Sequence, residues 1–233
     1  MPTSRFEALI GKDKLESLKT KSVMIFGLGG VGSYVVEALA RSNVGKLYLI
    51  DYDRIELSNI NRQIIALHST VGLYKTEVMK TRINDINPKI KVEIFNERLS
   101  SDNIDYFLRM SPSWIVDAID DVPTKVLLIK KSLENKQLII SSMGFANKFH
   151  PEMVEIASLA KTSVCPLAKT IRQSLKLAGS SLDVPVAFSR ETPTKSNNES
   201  IRLGSTAFVP PTAGLVIAGF VIRNLIEMGD EIP

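Results

Sequence analysis

The sequence predicts a doubly wound α/β fold of the Rossmann type, whose mostly parallel sheet carries a glycine-rich nucleotide loop. Its opening is a short apolar run, 22–26, followed by a loop of glycines and by a helical stretch, 33–41. A second apolar run, 46–50, ends at Asp51. This strand–loop–helix–strand unit begins many nucleotide-binding sheets, and strand-like and helix-like segments alternate after it as far as about residue 150.

The composition is that of a globular protein in a reducing compartment. Of the 233 residues, 44% are hydrophobic and 23% are charged, and Cys165 is the single cysteine. The chain begins with mixed charges rather than with a signal peptide, and its most apolar stretch, 213–222, has about half the length of a membrane helix. We therefore expect a cytoplasmic protein with no membrane partner. The net charge of +4 permits an RNA partner without requiring one.

The other elements follow from residue spacing and from helix and strand signals. Residues 5–20 have helical spacing that is broken at Gly11, which predicts two short amphipathic helices. The remaining predicted strands are 91–95, 114–118, 138–141 and 184–188, and the remaining predicted helices are 75–86, 123–135, 161–177 and one beginning near Pro211. The polar stretch 191–200 is predicted to be a loop without fixed structure.

The glycine loop is a candidate phosphate site. Its glycines fit the pattern G-x-G-x-x-G between a strand and a helix, and they are Gly27, Gly29, Gly30 and Gly32. Glycines let the backbone approach a phosphate closely, and the helix that follows offers free N–H groups. Asp51, at the end of the second strand, can bind ribose hydroxyls. The pattern does not distinguish ATP from a dinucleotide, since an NAD-dependent dehydrogenase would carry the same loop.

A polar run after Asp51 favours a triphosphate. Its notable members, with the lysine at the helix start that follows, are Asp53, Asn59, Arg62, Gln63 and Lys75. A dinucleotide needs one acidic residue here, whereas a triphosphate suits a planar guanidinium together with a point-charge ammonium. An adenylating enzyme must also stabilise the charge on departing pyrophosphate. Taken singly, either cation is better explained as solvating a loop or a helix start.

Asp120 lies at the carboxyl end of the strand predicted over 114–118, where an open α/β sheet meets its ligand. A carboxylate at that place can hold Mg²⁺ on the phosphates, because magnesium prefers oxygen ligands. The alternative is a helix cap, and we expect that role for Asp121 at the helix beginning near Pro123.

Together these residues resemble the ubiquitin-activating-enzyme superfamily, which includes the bacterial ThiF, MoeB and HesA proteins. The resemblance rests on the glycine loop, Asp51, the run Ser58-Asn59-x-x-Arg62-Gln63, Lys75 and Asp120. It implies that Asp51 binds ribose and that Asp120 handles magnesium and is indispensable. The side chains that it assigns to the ATP phosphates are Asn59, Arg62, Gln63 and Lys75.

The same resemblance implies a homodimer, in which Arg5 reaches the ATP site of the other copy as a further catalytic residue. The implied organisation has three parts. Residues 1–20 form a helical segment that reaches the dimer partner, 21–150 form the ATP-binding adenylation domain, and 151–233 form an α/β extension that completes the domain and serves substrate binding and dimerisation.

Several local runs resemble a narrower group, the tRNA threonylcarbamoyladenosine dehydratases. These runs are 4–12, 61–63, 141–148, 161–168 and 204–219. One departure is His150, which precedes Pro151 where that group usually has Asp. The resemblance implies that ATP activates the threonyl carboxylate of the modified adenosine in tRNA and releases pyrophosphate. The carbamoyl nitrogen of the same nucleoside then attacks the adenylate, closes a five-membered ring and releases AMP.

Basic residues in and near the helix predicted over 161–177 are candidate RNA contacts. Lys161, Lys169, Arg172 and Lys176 have no acidic residue between them. Lys148 belongs to a loop that can line the site. A solvated basic face explains the helix equally well.

Other functions stay open at this stage. An adenylyltransferase for a sulfur-carrier protein ending in Gly-Gly would share every ATP residue, although a single cysteine excludes the four-cysteine zinc site usual in that branch. An NAD-dependent oxidoreductase leaves Arg62, Lys75 and Asp120 without a role, and a non-catalytic scaffold would not need the ATP residues at all. The sequence also leaves open whether a monovalent cation or a sulfur-transfer protein of the cysteine desulfurase system takes part.

Overall fold

A seven-stranded sheet forms the centre of the protein, in a computed structural model that describes residues 3–196, 200 and 203–227. In chain order the strands are β1 (Ser22–Phe26), β2 (Lys46–Ile50), β3 (Lys91–Phe95), β4 (Trp114–Asp117), β5 (Ile139–Ser142), β6 (Val154–Ser158) and β7 (Pro185–Ser189). Their order across the sheet is β3-β2-β1-β4-β5-β7-β6. All neighbours are parallel except β6 and β7, which are antiparallel at one edge. The predicted mostly parallel Rossmann-like sheet is confirmed.

Helices cover both faces of this sheet. They are α1 (Ser4–Ile10), α2 (Lys12–Leu18), α3 (Gly32–Arg41), α4 (Lys75–Ile86), α5 (Ile104–Arg109), α6 (Val122–Glu134), α7 (Pro166–Leu177) and α8 (Val209–Leu225). Buried side chains of α3, α4 and α8 share one core, and those of α5, α6 and α7 share the other. Over the residues that the structure describes, no helix is long and apolar enough to cross a bilayer.

The central strands serve both cores because their side chains alternate. In β1, Val23 and Ile25 belong to one core, whereas Met24 and Phe26 belong to the other. A strand buried on both faces is a continuous apolar run in the sequence. This is why the predicted bounds of β1 and β2 agree with the structure residue for residue. The predicted bounds of β3 and α4 agree equally well, although β3 is only partly buried and α4 is a helix.

An ion-pair network ties α3 to α4. The Glu37 carboxylate accepts hydrogen bonds from Arg41 at 2.8 Å and from Arg82 at 2.6 and 3.0 Å. Burial works to raise the pKa of Glu37, but the two arginines outweigh this effect and hold the pKa below its ordinary value of 4.5. The charged carboxylate therefore stabilises the contact between the two helices.

One predicted helix boundary needs correction, and two elements were not predicted. The helix predicted over 161–177 begins only at Pro166, because a proline disfavours helical backbone at the residue before it. Lys161 consequently lies in a separate 3₁₀ turn, Leu159–Lys161. The edge strand β6, which is half-buried over most of its length, and the short helix α5 were not predicted. The polar stretch predicted to lack fixed structure falls partly outside the described residues, at 197–199.

Candidate active site

The carboxyl edge of the sheet brings the predicted ATP-site residues together. Chain order reverses between β1 and β4, because β2 and β3 extend the sheet to one side and β5 extends it to the other. Open α/β sheets bind ligands in the crevice at such a reversal. The glycine loop follows β1, Asp51 follows β2 and Asp120 follows β4, so all three lie at this crevice.

The glycine loop turns tightly against the loop after β4. Gly27 has a φ of +90°, and a Cβ there would lie 2.6 Å from the Ala118 carbonyl oxygen. At Gly32 a Cβ would lie 1.8 Å from the Gly27 carbonyl oxygen. At Gly29, in contrast, the nearest atom among the described residues would be Gln63 Nε2 at 3.9 Å. The loop is therefore closely packed beneath and open at Gly29, as a phosphate cradle requires.

Asp51 ties the glycine loop to the end of β2. Its carboxylate accepts hydrogen bonds from the backbone N–H groups of Leu28, at 2.6 Å, and of Asp53, at 2.8 Å. Burial raises the pKa of this carboxyl, against the opposing effect of the Lys75 ammonium. Each carboxylate oxygen can accept a further hydrogen bond, so ribose hydroxyls can bind here without displacing the backbone.

Lys75 begins α4, and its ammonium is buried between two aspartates. Its Nζ lies 2.6 Å from Asp53 Oδ2 and 3.9 Å from Asp51 Oδ2. From the sequence we expected a cation available to the phosphates, whereas the structure shows one that already has acidic partners. A triphosphate would therefore share or replace the Asp53 contact.

Arg62 lies over the glycine loop. Its Cγ would be 3.2 Å from a Cβ placed on Gly30. The guanidinium donates hydrogen bonds to the Ser58 carbonyl at 2.9 Å and to Asn61 Oδ1 at 2.8 Å. Both contacts are exposed, so the planar fork can turn towards a bound phosphate at little cost.

Asn59 and Gln63 are the buried polar side chains of this segment. Asn59 closes a 3₁₀ turn, where its Oδ1 accepts the N–H of Glu56 at 3.2 Å. Gln63 Oε1 is buried without a hydrogen-bond partner among the described residues. Because an amide can be turned so that oxygen and nitrogen exchange places, either end can meet a ligand at the glycine loop. Buried polar groups are seldom left unpaired unless a site or a water uses them.

Asp120 is exposed, and within the described ranges no hydrogen bond or ion pair involves its carboxylate. Asp121 confirms the predicted helix cap, since its Oδ2 accepts the Thr124 N–H at 3.0 Å. No group of three or more His, Cys, Asp and Glu side chains in the described part of the chain could hold a metal by itself. One uncommitted carboxylate does fit Mg²⁺, which is commonly bound through one or two carboxylates and the phosphates of a substrate.

A buried polar network beneath Asp120 was missed by the sequence analysis. Asp117 Oδ2 accepts hydrogen bonds from Lys125 Nζ at 2.7 Å and from Ser141 Oγ at 2.6 Å, and all three residues are fully buried. The available signal was an aspartate and a lysine that interrupt otherwise apolar strand and helix faces. Without a partner, either residue would be costly to bury.

The candidate RNA contacts differ in exposure. Lys161 and Lys169 are exposed. Arg172 is half-buried, and its Nη1 donates to the carbonyl oxygen of Thr162 at 3.0 Å and to the hydroxyl of the same residue. The exposed lysines therefore have ammonium groups free to meet RNA, whereas the Arg172 guanidinium is partly occupied within the protein. Arg5 is exposed on α1, and no hydrogen bond joins it to the ATP-site residues in the described chain.

Lys148 is a buried lysine whose electrostatic surroundings include Cys165 and Glu191. It is 1% exposed, and its Nζ donates to the Ser189 carbonyl at 3.2 Å. Burial lowers its pKa, against the opposing effects of Cys165 and Glu191. Cys165 is buried as well, with Sγ 3.9 Å from the Gly144 carbonyl oxygen. The Lys148 ammonium is therefore not presented to RNA phosphates in this conformation.

The C-terminal extension adds a rim to the crevice. Asn61 Nδ2 donates to the Ser205 carbonyl at 3.1 Å, and the Asn147 N–H donates to the Gly204 carbonyl at 2.9 Å. The Cβ of Pro210, near the start of α8, lies 3.2 Å from the Cβ position of Gly30. The segment before α8 is thus attached both to the ATP side and to the loop after β5.

Comparison with known proteins gives matches over nearly the full length. A tRNA threonylcarbamoyladenosine dehydratase of Bacillus subtilis (strain 168) is 39% identical over 239 residues, covering 96% of this chain and 94% of that protein. Crystal structures of the Escherichia coli tRNA N6-threonylcarbamoyladenosine dehydratase TcdA, in complex with AMP and with ATP, have TM-scores of 0.90 and 0.89 at 32% identity, covering 95% of this chain and 92% of the other. A sulfur carrier protein adenylyltransferase of Thermus thermophilus is 36% identical over 119 residues, covering 51% of this chain and 44% of that protein.

The family assignment agrees with the geometry. Residues 3–231 match the ThiF family. The structure places the glycine loop, Asp51 and Asp120 at one sheet edge, as expected for nucleotide binding. This chain belongs to the ThiF family.

Proposed function

We propose that this protein is an ATP-dependent enzyme that closes a ring in the threonylcarbamoyladenosine of tRNA. A carboxylate oxygen of the threonyl group attacks the α-phosphorus of ATP, and pyrophosphate leaves. The carbamoyl nitrogen then attacks the activated acyl carbon, loses its proton, and AMP departs. The nucleoside loses one water overall and becomes cyclic threonylcarbamoyladenosine.

The observation that carries the proposal is the extent of the similarity to the dehydratases. It includes the ATP site and continues through the residues after 150, which form the rim of the crevice. The similarity to the sulfur-carrier enzyme extends over about half of the chain. The longer similarity therefore favours the dehydratase activity over the sulfur-carrier activity.

The nucleotide is assigned to the carboxyl edge of the sheet. Asp51 holds the ribose, and the glycine loop with Arg62 holds the phosphates. Lys75 lies 2.6 Å from Asp53 and can shift its ammonium towards the β- and γ-phosphates when they bind. Asn59 and Gln63 supply amide groups at the same loop, and the unpaired Gln63 Oε1 supports this assignment.

Asp120 is the residue that would hold Mg²⁺. When bound, magnesium neutralises charge on the phosphates and on the departing pyrophosphate. The exposed carboxylate at the end of β4 supports this role. The family resemblance adds a homodimer, in which Arg5 of each copy reaches the ATP site of the other.

Ring closure requires little further chemistry from the protein. The nucleophile and the activated carbon belong to the same nucleoside, and well-oriented intramolecular reactions have effective molarities of about 10⁵ M or more. No enzyme thiol is needed, and Cys165 is 3% exposed. The reaction also balances without a monovalent cation or a sulfur-transfer protein.

The tRNA would approach along the exposed lysines, Lys161 and Lys169. Their charges can neutralise phosphates of the anticodon stem and loop. A tRNA substrate also agrees with the cytoplasmic location expected from the composition.

The experiment compares two tRNAs that differ only in the modification. ATP is incubated with the protein and with tRNA that carries or lacks threonylcarbamoyladenosine. Pyrophosphate release that depends on the modification, with loss of one water's mass from the nucleoside, is the expected result. Release of pyrophosphate with a carrier protein ending in Gly-Gly, and with neither tRNA, would overturn the proposal and favour the sulfur-carrier activity.

A further inference from the structure

Lys125 and Asp117 form an ion pair inside the protein, beneath the loop that carries Asp120. Lys125 Nζ lies 2.7 Å from Asp117 Oδ2 and 3.2 Å from Ser141 Oγ. Both charged side chains are 0% exposed. Burial lowers the pKa of Lys125, and the carboxylates of Asp117 and Asp120 oppose this lowering.

Stability alone does not account for this network. Removing two charges from water costs as much as their attraction returns, unless the geometry is very good. Apolar side chains of similar volume often stabilise a protein equally well or better. A buried ion pair is better explained where it holds a neighbouring segment in one conformation. Here the neighbouring segment is the loop that carries Asp120.

The network clamps both ends of that loop. Asp117 ends β4 and Lys125 lies in the first turn of α6, so their contact joins the elements on the two sides of the loop 118–121. The second oxygen of Asp117, Oδ1, accepts the N–H of Ile119 at 3.1 Å. On the other side of Asp120, the cap formed by Asp121 begins the helix. Asp120 is thus an exposed carboxylate between two anchored residues.

The same loop also supports the glycine loop. The N–H of Ala118 donates to the Phe26 carbonyl at 2.8 Å, and the Ala118 carbonyl oxygen occupies the space that a Cβ on Gly27 would need. A displacement of 118–120 would therefore move Asp120 and loosen the glycine loop together. The positions of the glycine loop and of Asp120 therefore both depend on the contact between Asp117 and Lys125.

We propose that Lys125 is a positioning residue for Asp120, which acts through Asp117 to hold the loop that presents this carboxylate to Mg²⁺ and ATP. Lys125 is buried and makes its contacts with Asp117 and Ser141, so it does not itself touch the substrate. The expected loss of turnover rests on the proposed function. The expected rigidity of the loop does not depend on it.

The first arm of the test is hydrogen exchange of the unaltered protein. The Ile119 amide should exchange slowly although it lies in a loop, because Asp117 holds it. Exchange at the rate of an unprotected loop amide would overturn the proposal without any variant.

The second arm replaces the network by apolar side chains in the triple variant Asp117→Leu, Lys125→Met and Ser141→Ala. This change avoids leaving one buried charge unpaired, which Lys125→Met alone would do. The variant should fold, exchange about 10-fold faster over 118–121, and lose most of the gain in ATP affinity that Mg²⁺ provides. Turnover of modified tRNA should fall about 100-fold, as expected for misplacement by roughly 1 Å.

Lys130→Met is the matched control. Lys130 is on the same helix and makes a surface contact with Glu134 at 3.8 Å, so its loss should leave exchange, ATP binding and turnover unchanged. If the triple variant fails to fold, Ser141→Ala removes one hydrogen bond to Asp117 and should produce the same changes at smaller size.

Unchanged exchange and unchanged Mg²⁺-dependent ATP binding in a folded variant would overturn the positioning role. A wild-type protein that binds ATP but does not act on modified tRNA would instead contradict the proposed function. In that case, hydrogen exchange over 118–121 and Mg²⁺-dependent ATP binding still test the positioning role of Lys125.

Discussion

Alanine at Gly32 and alanine at Gly29 should have different effects, although both glycines belong to one loop. At Gly32 the added Cβ would lie 1.8 Å from the Gly27 carbonyl oxygen, where such contacts are not closer than 3.0 Å. The backbone would have to move by about 1 Å in a close-packed region. We expect a loss of about 3 kcal/mol in the free energy of unfolding, and therefore a Tm lower by about 6–12 °C.

Gly29→Ala should leave the fold intact. The nearest atom described around its Cβ position is 3.9 Å away, and the φ of Gly29 is not positive. The free energy of unfolding should stay within about 0.5 kcal/mol of the wild-type value or rise slightly, since alanine restricts the unfolded chain. The methyl group would stand where the proposed phosphates approach the backbone, so ATP affinity should fall about 10-fold or more.

Thermal unfolding and ATP titration of both variants test these two expectations. A Gly29→Ala protein that binds ATP as tightly as the wild type would refute a phosphate site over this glycine. A Gly32→Ala protein with an unchanged Tm would refute the close backbone approach on which the loop geometry depends.

The remaining predictions concern chemistry, RNA binding and pH. Asp120→Ala should abolish pyrophosphate release without lowering Tm, because the side chain is exposed; residual turnover above a few per cent would remove Asp120 from the catalytic set. Cys165→Ser should retain most activity, and complete loss in a folded protein would point to a thioester step. Lys161→Glu with Lys169→Glu should weaken tRNA binding and leave ATP binding unchanged, whereas equal tRNA affinity would place the RNA elsewhere. Glu37→Gln should reduce stability at pH 7 by about 1–2 kcal/mol, because it weakens charge-assisted hydrogen bonds to two arginines. Since folding lowers the pKa of Glu37, its contribution is complete above pH 4.5 and is lost as the pH falls through the folded-state pKa. Denaturation curves should therefore converge for wild type and variant in acid, and a difference that persists there would contradict the ionic explanation.

Much of the sheet can be predicted from the sequence because its strands are buried on both faces. Apolar runs bounded by a glycine loop or by polar residues mark β1 and β2 without any knowledge of their neighbours. The edge strand β6 has no such mark, since it packs on one neighbour and is only half-buried over Val154–Ile156. Its pairing with β7 brings together residues about 30 positions apart, which no local pattern reveals.

The candidate ligand-facing residues could also be chosen from the sequence, because a nucleotide site requires such residues at fixed distances along the chain. The glycines and Asp51 belong to one β–α–β unit, and the polar run follows directly. The solvent exposure of the candidate RNA-binding side chains could not be predicted in the same way. The sequence assigns a cation at Lys148 and one at Lys169 with equal ease, yet the first is 1% exposed and the second lies on the surface.

The residues that hold the site in place lie beyond the reach of motif spacing. Lys125 meets Asp117 across 8 positions, and Ser141 meets the same carboxylate across 24 positions, from a neighbouring strand. In the sequence each of them is a polar residue next to an apolar run, and only the fold makes them one network. A site can therefore keep every residue proposed to contact ATP and still fail if this network is disturbed. For that reason the variants of the Asp117–Lys125–Ser141 network, rather than further changes at the glycine loop, test whether the geometry of Asp120 is built into the fold.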